Sequence, residues 1–286
     1  MSNQIEKVII SNIKDSNFYD ALQSIMALLE RQYKSKNINK ILLALQQYAQ
    51  LMIDYKEHDC AIEIGEKVLG YLKLLNTDIT LEIIEIFISI LNQCSNVKCA
   101  RKYIFCNEII FSSKSLPNLS EKEQKYGQIG LHKTIASYLI LDKEYGTALM
   151  HLILCDDPEL IYELLCKWSK ACYPSEMPLI IHKTVLIILA SKNVGFAEYI
   201  LNKYSSSFDD KFPNVYLQAT FLITACVKHS DQQYWKLVRT KYKLQNVVDN
   251  ELETILNQIG SLYFNENNNS NMLENMFSGL MGQLKI

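Results

Sequence analysis

The sequence predicts an all-α fold, a solenoid of stacked helical hairpins, on three observations. A phrase recurs five times: a short polar turn, an alanine, then an apolar stripe at helical spacing. It reads Asp15-Ser16-Asn17-Phe18-Tyr19-Asp20-Ala21, Glu57-His58-Asp59-Cys60-Ala61, Asn96-Val97-Lys98-Cys99-Ala100, Lys143-Glu144-Tyr145-Gly146-Thr147-Ala148 and Lys192-Asn193-Val194-Gly195-Phe196-Ala197. The alanines stand 40, 39, 48 and 49 residues apart, the length of one helical hairpin. Ala61 is followed by Ile64, Val68, Leu69 and Leu72, and Ala197 by Ile200, Leu201 and Tyr204, which are helical offsets and not strand alternation. Finally, 9 Gly and 5 Pro in 286 residues suit long helices with short joints better than a turn-rich sheet. An alanine early in the second helix of a hairpin lets the preceding helix approach closely, while the larger residues after it fill the groove between neighbours.

In chain order, residues 4–15 read as a short amphipathic helix with Ile5, Val8, Ile9 and Ile13 on one side, capping the first repeat. Ser16 or Asn17 caps the next helix, which buries Ala21, Ile25, Leu28 and Leu29. Asn37 starts a third helix and Asp59 a fourth. A helix from about Thr80 to Cys94 opens with Thr80-Leu81-Glu82-Ile83, a capping box with its carboxylate one position early. The Ala100 helix follows, then a polar loop over residues 112–120 containing Pro117. Helices are expected at about 121–142, 143–154, 158–170, 177–191 and 193–205. The stretch 205–213 interrupts the pattern, and Pro213 can start a helix carrying Leu217, Phe221 and Leu222. Helices around Trp235, Leu237 and Val238 and over 250–264 complete one solenoid of residues 1–264, with halves 1–113 and 114–264. Residues 265–286 are an Asn-rich linker and a short apolar tail, Met272 to Met281. That tail docks on its own solenoid, lies in a groove of another protein, or meets a membrane surface.

Composition narrows the function classes. With 29 basic and 31 acidic residues and a formal charge of −2, the chain has no general attraction to nucleic acid or anionic lipid. No apolar stretch approaches the roughly 20 residues of a membrane span, and residues 1–6 lack the basic and apolar regions of a secretion signal; a cytosolic chain is expected. The 8 cysteines form no C-x-x-C pair and are expected reduced. Cys94, Cys99 and Cys106 match no common zinc spacing, so no metal is assigned.

The sequence also lacks the usual catalytic signatures. No phosphate-cradling loop, nucleophile elbow or zinc-protease helix is present, and the reading is of a protein that is not an enzyme and holds no cofactor. Neither Asp156-Asp157, which runs into Pro158-Glu159, nor Asp209-Asp210 supplies as aspartate the third ligand of a magnesium-diphosphate site, and both read as loops. The histidines at 58, 132, 151, 182 and 229 are scattered; His132 and His151, in adjacent expected helices, read as hydrogen-bonded interface residues rather than a catalytic pair. Asn118-Leu119-Ser120 and Asn268-Asn269-Ser270 are glycosylation sequons by pattern only.

Four groups of residues carry a family resemblance. The first runs from Asn17-Phe18-Tyr19-Asp20-Ala21 through Arg31 to Ala61-Ile62-Glu63-Ile64. The second is Gly127, Leu131 and His132, then Tyr145, Ala148 and His151. The third is Val185-Leu186, Leu189, Asn193 and Ala197. The fourth is Ile259-Gly260, Leu262-Tyr263-Phe264, an Asn-rich spacer and the Leu/Met tail. In this order and spacing the chain resembles the Golgi-to-ER traffic protein four family, the helical scaffold of the guided-entry pathway for tail-anchored membrane proteins. It departs from the family at 247–251, where Val247-Val248-Asp249-Asn250-Glu251 stands in place of the usual Asp-Pro.

The resemblance implies a right-handed solenoid of TPR-like hairpins with two binding ends. One end would dock the ATPase that carries tail-anchored substrates, through Arg31, Lys36 and Glu63. The other would hold a ubiquitin-like-domain adaptor, in a region containing Phe212, Phe221, Tyr263 and Phe264. Bridging the two partners without catalysis, in the cytosol and without membrane insertion, is the expected function. The alternative is a helical-repeat subunit of another assembly, such as a vesicle coat or a proteasome-lid-like scaffold.

Overall fold

The computed structural model describes residues 2–97, 99–207, 214–242 and 250–266. All regular structure among them is α-helical, in fifteen helices. These are α1 (Ser2–Lys14), α2 (Phe18–Lys34), α3 (Ile38–Asp54), α4 (His58–Leu74), α5 (Leu81–Gln93), α6 (Ala100–Ser113), α7 (Glu121–Tyr126) and α8 (Ile129–Leu141). They continue with α9 (Tyr145–Ile153), α10 (Pro158–Ser169), α11 (Met177–Ala190), α12 (Val194–Ser207), α13 (Val215–His229), α14 (Gln232–Lys241) and α15 (Asn250–Phe264). They form two compact units, one reaching to Asp142 and the other beginning at Lys143.

The recurring phrase has a definite backbone geometry. Ser16, Lys56, Lys143 and Lys192 all have φ between 59° and 66°, and each stands five residues before its alanine. In the first of these turns Ser16 N–H bonds Ile13 O at 3.0 Å and Asn17 N–H bonds Asn12 O at 2.7 Å; Lys56 with Glu57, and Lys192 with Asn193, repeat the pattern. This left-handed closure satisfies the last carbonyls of the outgoing helix. The next residue becomes the N-cap, and its carbonyl takes the alanine N–H: Ala21 to Asn17, Ala61 to Glu57, Ala148 to Glu144 and Ala197 to Asn193, at 3.0–3.2 Å. All four alanines are fully buried. The Ala100 side chain lies outside the described residues, as do Pro213, the linker from 267 onward and the tail.

The third copy closes differently. Ser95, five residues before Ala100, is not left-handed. Lys102 instead reaches back from α6, its ammonium donating to Ser95 O at 3.1 Å and Val97 O at 2.8 Å and lying 5.0 Å from the Tyr138 ring centroid. It is completely buried, and the carbonyls and the ring face stand in for the water a lysine normally keeps.

In the first unit α2, α4 and α6 lie side by side in one layer, and α1, α3 and α5 in the other. Alternating direction makes α2, α4 and α6 run parallel, and side-chain pairs confirm it: Tyr71 with Glu30 between α4 and α2, Lys73 with Glu108 between α4 and α6. Gly65 lets the Phe105 ring of α6 lie directly against α4, since a Cβ there would sit 2.7 Å from Phe105 Cζ. Phe105 is itself fully buried and edge-on to Phe87. At the start of the array α1 packs chiefly on α2, so Ile9 and Ile13 are enclosed while Val8, expected on the same side, is 49% exposed.

The single helix expected over 121–142 is two. Gly127 has φ 97° and its missing Cβ leaves room for Ile110 Cγ2 and Ile110 O, so the chain bends there against the end of α6. Ser113 Oγ donates to Ile110 O and accepts from Gln128 N–H, pinning the bend. The full capping box in this region is Ser120 with Glu123, not the near-match at Thr80, although Thr80 does cap α5. Further caps move too: α4 starts at His58 with Glu57 as N-cap, not at Asp59.

The second unit is built around α11, which is buried at Met177, Pro178, Ile181, His182 and every residue from Thr184 to Ala190. A helix apolar on all sides has to be covered on all sides, and α12, α13 and α15 do so. Asp156 is left-handed at φ 52° and Asp157 caps α10, accepting from Glu159 N–H and Leu160 N–H. That aspartate pair is a helix joint.

Two stability outcomes follow from these contacts. Lys56→Gly removes the steric cost of a left-handed non-glycine residue, about 1–2 kcal/mol, against a glycine entropy cost of about 0.5–1 kcal/mol. The melting temperature should rise, whereas Lys56→Val should lower it because a β-branched residue resists that conformation. Gly65→Ala gains at most about 1 kcal/mol of helix propensity but overpacks the Phe105 ring at about 1–3 kcal/mol. Denaturant unfolding should report a net loss of stability.

Candidate functional site

The residues assigned to partner docking fall on both units. Arg31 and Lys36 are exposed at the C-terminal end of α2, Arg31 in its last turn and Lys36 in the following joint. Lys36 is there for a backbone reason as well, with φ 53° and its N–H on Tyr33 O at 2.9 Å. Around them Lys34 pairs with Glu30 at 3.4 Å, and Tyr71 donates to Glu30 at 2.6 Å while stacking on Tyr33 at 4.5 Å. The bond from Tyr71 holds the Glu30 carboxyl below its ordinary pKa, so this end keeps one carboxylate among several cations.

Glu63 is not beside them. It lies two turns before Tyr71 on α4, about 12 Å away along the helix axis. Its side chain, 34% exposed, is bonded to Arg101 of α6. Arg101 also binds Glu66 at 2.9 Å, making a three-residue charge cluster across α4 and α6. Burial pushes the Glu66 carboxyl up, against the pull of Arg101. The sequence named Glu63 and missed Arg101, because a pairing across 38 residues leaves no local pattern.

At the C-terminal end the four named residues separate. Phe212 lies outside the described residues. Phe221 is 43% exposed on α13. Tyr263 is half-buried and donates to Leu189 O at 3.0 Å, tying α15 to the end of α11. Phe264 is enclosed, its ring stacked on Trp235 at 4.8 Å.

The Ile259-Gly260 motif thus has a structural reading. Gly260 leaves room for the Glu266 carboxylate, which accepts from Trp235 Nε1 at 3.0 Å, while Gln232 donates to Phe264 O at 3.0 Å. Trp235 is fully buried and is the anchor of this corner; Leu237, two residues on, is 64% exposed. Among the described residues no three His, Cys, Asp or Glu side chains gather as metal ligands, and no helix is long and apolar enough to cross a membrane.

A family model described as Golgi to ER traffic protein 4 matches residues 35–284. The chain belongs to the Golgi to ER traffic protein 4 family. It is 23% identical over 288 residues to the Golgi to ER traffic protein 4 homolog of Dictyostelium discoideum, covering 99% of this chain and 91% of the relative. The Xenopus tropicalis homolog is 21% identical over 291 residues, 98% and 87% of the two chains. The structure described as the crystal structure of C. therm. Get4 superposes with TM-score 0.72 at 18% identity, over 98% of this chain and 95% of that one. The fold is that family's all-α solenoid, and membership gives the chain a role in protein targeting by the GET pathway.

Two of the buried histidines, His132 from the second motif group and His182 of α11, are core groups. His132 Nε2 lies 3.0 Å from Tyr126 O, and since a carbonyl only accepts, Nε2 carries the proton. His182 Nδ1 is 2.8 Å from Thr220 Oγ1, whose own proton goes to Tyr216 O, so Nδ1 is the donor there. Burial lowers both from 6.5 to about 4. The unfolded chain therefore binds more protons than the folded one between these values, and stability is lost as pH falls from 6.5 toward 4. Each histidine accounts for on the order of 3 kcal/mol across that window. Melting curves should show the loss, and His182→Gln should flatten its pH dependence even though it lowers the melting temperature at neutral pH.

Proposed function

We propose that this chain is a non-catalytic cytosolic scaffold in the targeting of tail-anchored membrane proteins. Its N-terminal half, residues 1–113, docks the targeting ATPase, and its C-terminal half, 114–264, holds a ubiquitin-like-domain adaptor, with 265–286 as linker and tail. The family match across residues 35–284 is the observation that carries this reading. Fixing two partners on one body raises the effective concentration of each for the other, which speeds handover without any chemistry by the scaffold.

The charged character of the N-terminal candidates supports a brief, salt-sensitive encounter with the ATPase. Arg31, Lys34 and Lys36 offer cations, and Glu63 with Glu66 and Arg101 a second charged patch further along α4. On the adaptor side Phe221 offers exposed apolar area, whereas Phe264 is enclosed against Trp235.

The test is co-purification from a cytosolic extract, in which an ATPase and a ubiquitin-like protein should be recovered; recovery of neither refutes the proposal. Glu63→Lys should weaken ATPase binding severalfold with little change in melting temperature, since a partly exposed ion pair is worth about 0–1 kcal/mol. Arg101→Gln breaks the same internal pair but leaves the Glu63 charge. If it weakens ATPase binding as much as Glu63→Lys does, Glu63 acts through the helix packing and not through contact.

A further inference from the structure

The layer of the first unit opposite α2, α4 and α6 carries a groove of about 610 Å³ between α3 and α5. Gln46 and Gln50 line it from α3, and Glu82, Glu85, Ser89 and Gln93 from α5. At one end Gln50 and Gln93 exchange amide hydrogen bonds at 2.9 and 3.0 Å, and Gln50 also donates to Asp54, so this end is closed and its donors are used. The rest is open. Among the described residues the side chains of Gln46, Glu82, Glu85 and Ser89 have no hydrogen-bond or ion-pair partner, and no lysine, arginine or histidine lines the groove.

Its floor is Ile86 and Ile90. Toward its open end stand Leu43, one turn before Gln46 and 62% exposed, and Leu81, next to Glu82 and 51% exposed. From Glu82 to Gln93 α5 rises about 16 Å, the length of about five extended residues.

We propose that this groove receives an extended segment of a partner polypeptide that carries a lysine or arginine side chain. A primary amide and a hydroxyl offer a donor and acceptors suited to an extended backbone, whose groups are not used up internally as a helix's are. The two carboxylates, one turn apart on α5, complement a cationic head, and the isoleucine floor accepts its aliphatic stem. Two uncompensated carboxylates side by side repel each other, so a cation between them relieves a cost as well as making bonds. This surface is on the layer away from Arg31 and Glu63, and the inference does not rest on the ATPase reading.

The experiment titrates the full chain, labelled at isoleucine methyl groups, with a five-residue peptide alternating alanine with lysine and arginine. Saturable shifts are expected at the Ile86 and Ile90 methyls, weakened by high salt and absent with the counterpart peptide bearing glutamate at the basic positions. The double variant Glu82→Gln, Glu85→Gln neutralises two exposed, unpaired carboxylates; it should stay folded, with its melting temperature lowered only by the lost first-turn charge of Glu82 on α5, and lose about tenfold in affinity, the worth of two modest ion pairs. It should still recover the ATPase from extract, which separates this site from the proposed docking end. No saturable shift, equal shifts with the acidic peptide, or undiminished binding by the double variant overturns the proposal. So does methyl broadening that grows with protein concentration alone, which would assign the groove to a second copy of the chain.

Discussion

A helix that stops leaves its last four carbonyls unpaired, and the helix that follows begins with four unpaired amides. In the short joints of a stack of hairpins the two sets meet, here with only two to four residues between them. This chain solves the problem with one residue in the left-handed conformation. At Ser16, Lys36, Lys56, Lys143, Asp156, Lys192 and Ser230 that residue closes the outgoing helix, its successor becomes the N-cap, and the fifth residue after it is the first to point inward. Those inward residues are Ala21, Ile41, Ala61, Ala148, Ile161, Ala197 and Trp235, all enclosed. The joint therefore sets the rotational register of each helix, and with it which face meets the neighbours. None of these left-handed residues is glycine, so each joint carries a steric cost that the packing of the helices on either side offsets.

The same rule explains what the family motifs are made of. Gly127 forms a bend, Ala148 and Ala197 open helices, Val185, Leu186 and Leu189 are core, and Ile259 to Phe264 closes a corner over Trp235. These motif residues specify the scaffold. The surfaces proposed for partners are drawn from what the joints leave over: exposed charges near the end of α2 and along α4 in one layer of the first unit, and a polar groove in the other. Because Glu63 is already bonded to Arg101, a partner that used Glu63 would be competing with an internal ion pair, which favours exchange over permanence.

Most of the helix positions were legible from the sequence because their signals are local. The apolar spacing and the polar turns act within five or six residues, and both the alanine period and the helix starts follow from them. The split at Gly127 was not, since a glycine inside a helical pattern is only a breaker when something must occupy the space beside it, and here Ile110 does. The candidate site was legible only as residue types. Phe264 and Phe221 look alike in sequence, yet one is stacked on Trp235 and the other is 43% exposed, because aromatic side chains serve core and interface equally well.

By itself the sequence determined the all-helical class, the repeating joint and the absence of the common catalytic signatures, all of which depend on short-range periodicity and residue chemistry. Tertiary structure alone decided how long-range neighbours share charge and space: Lys102 donating to the carbonyls of the α5–α6 joint, Arg101 taking both Glu63 and Glu66, and Gln50 meeting Gln93 across two helices. Each of these joins residues on different elements, some of them about 40 positions apart. Which of the many possible pairs forms is set by the stacking of whole helices, a quantity no local window contains.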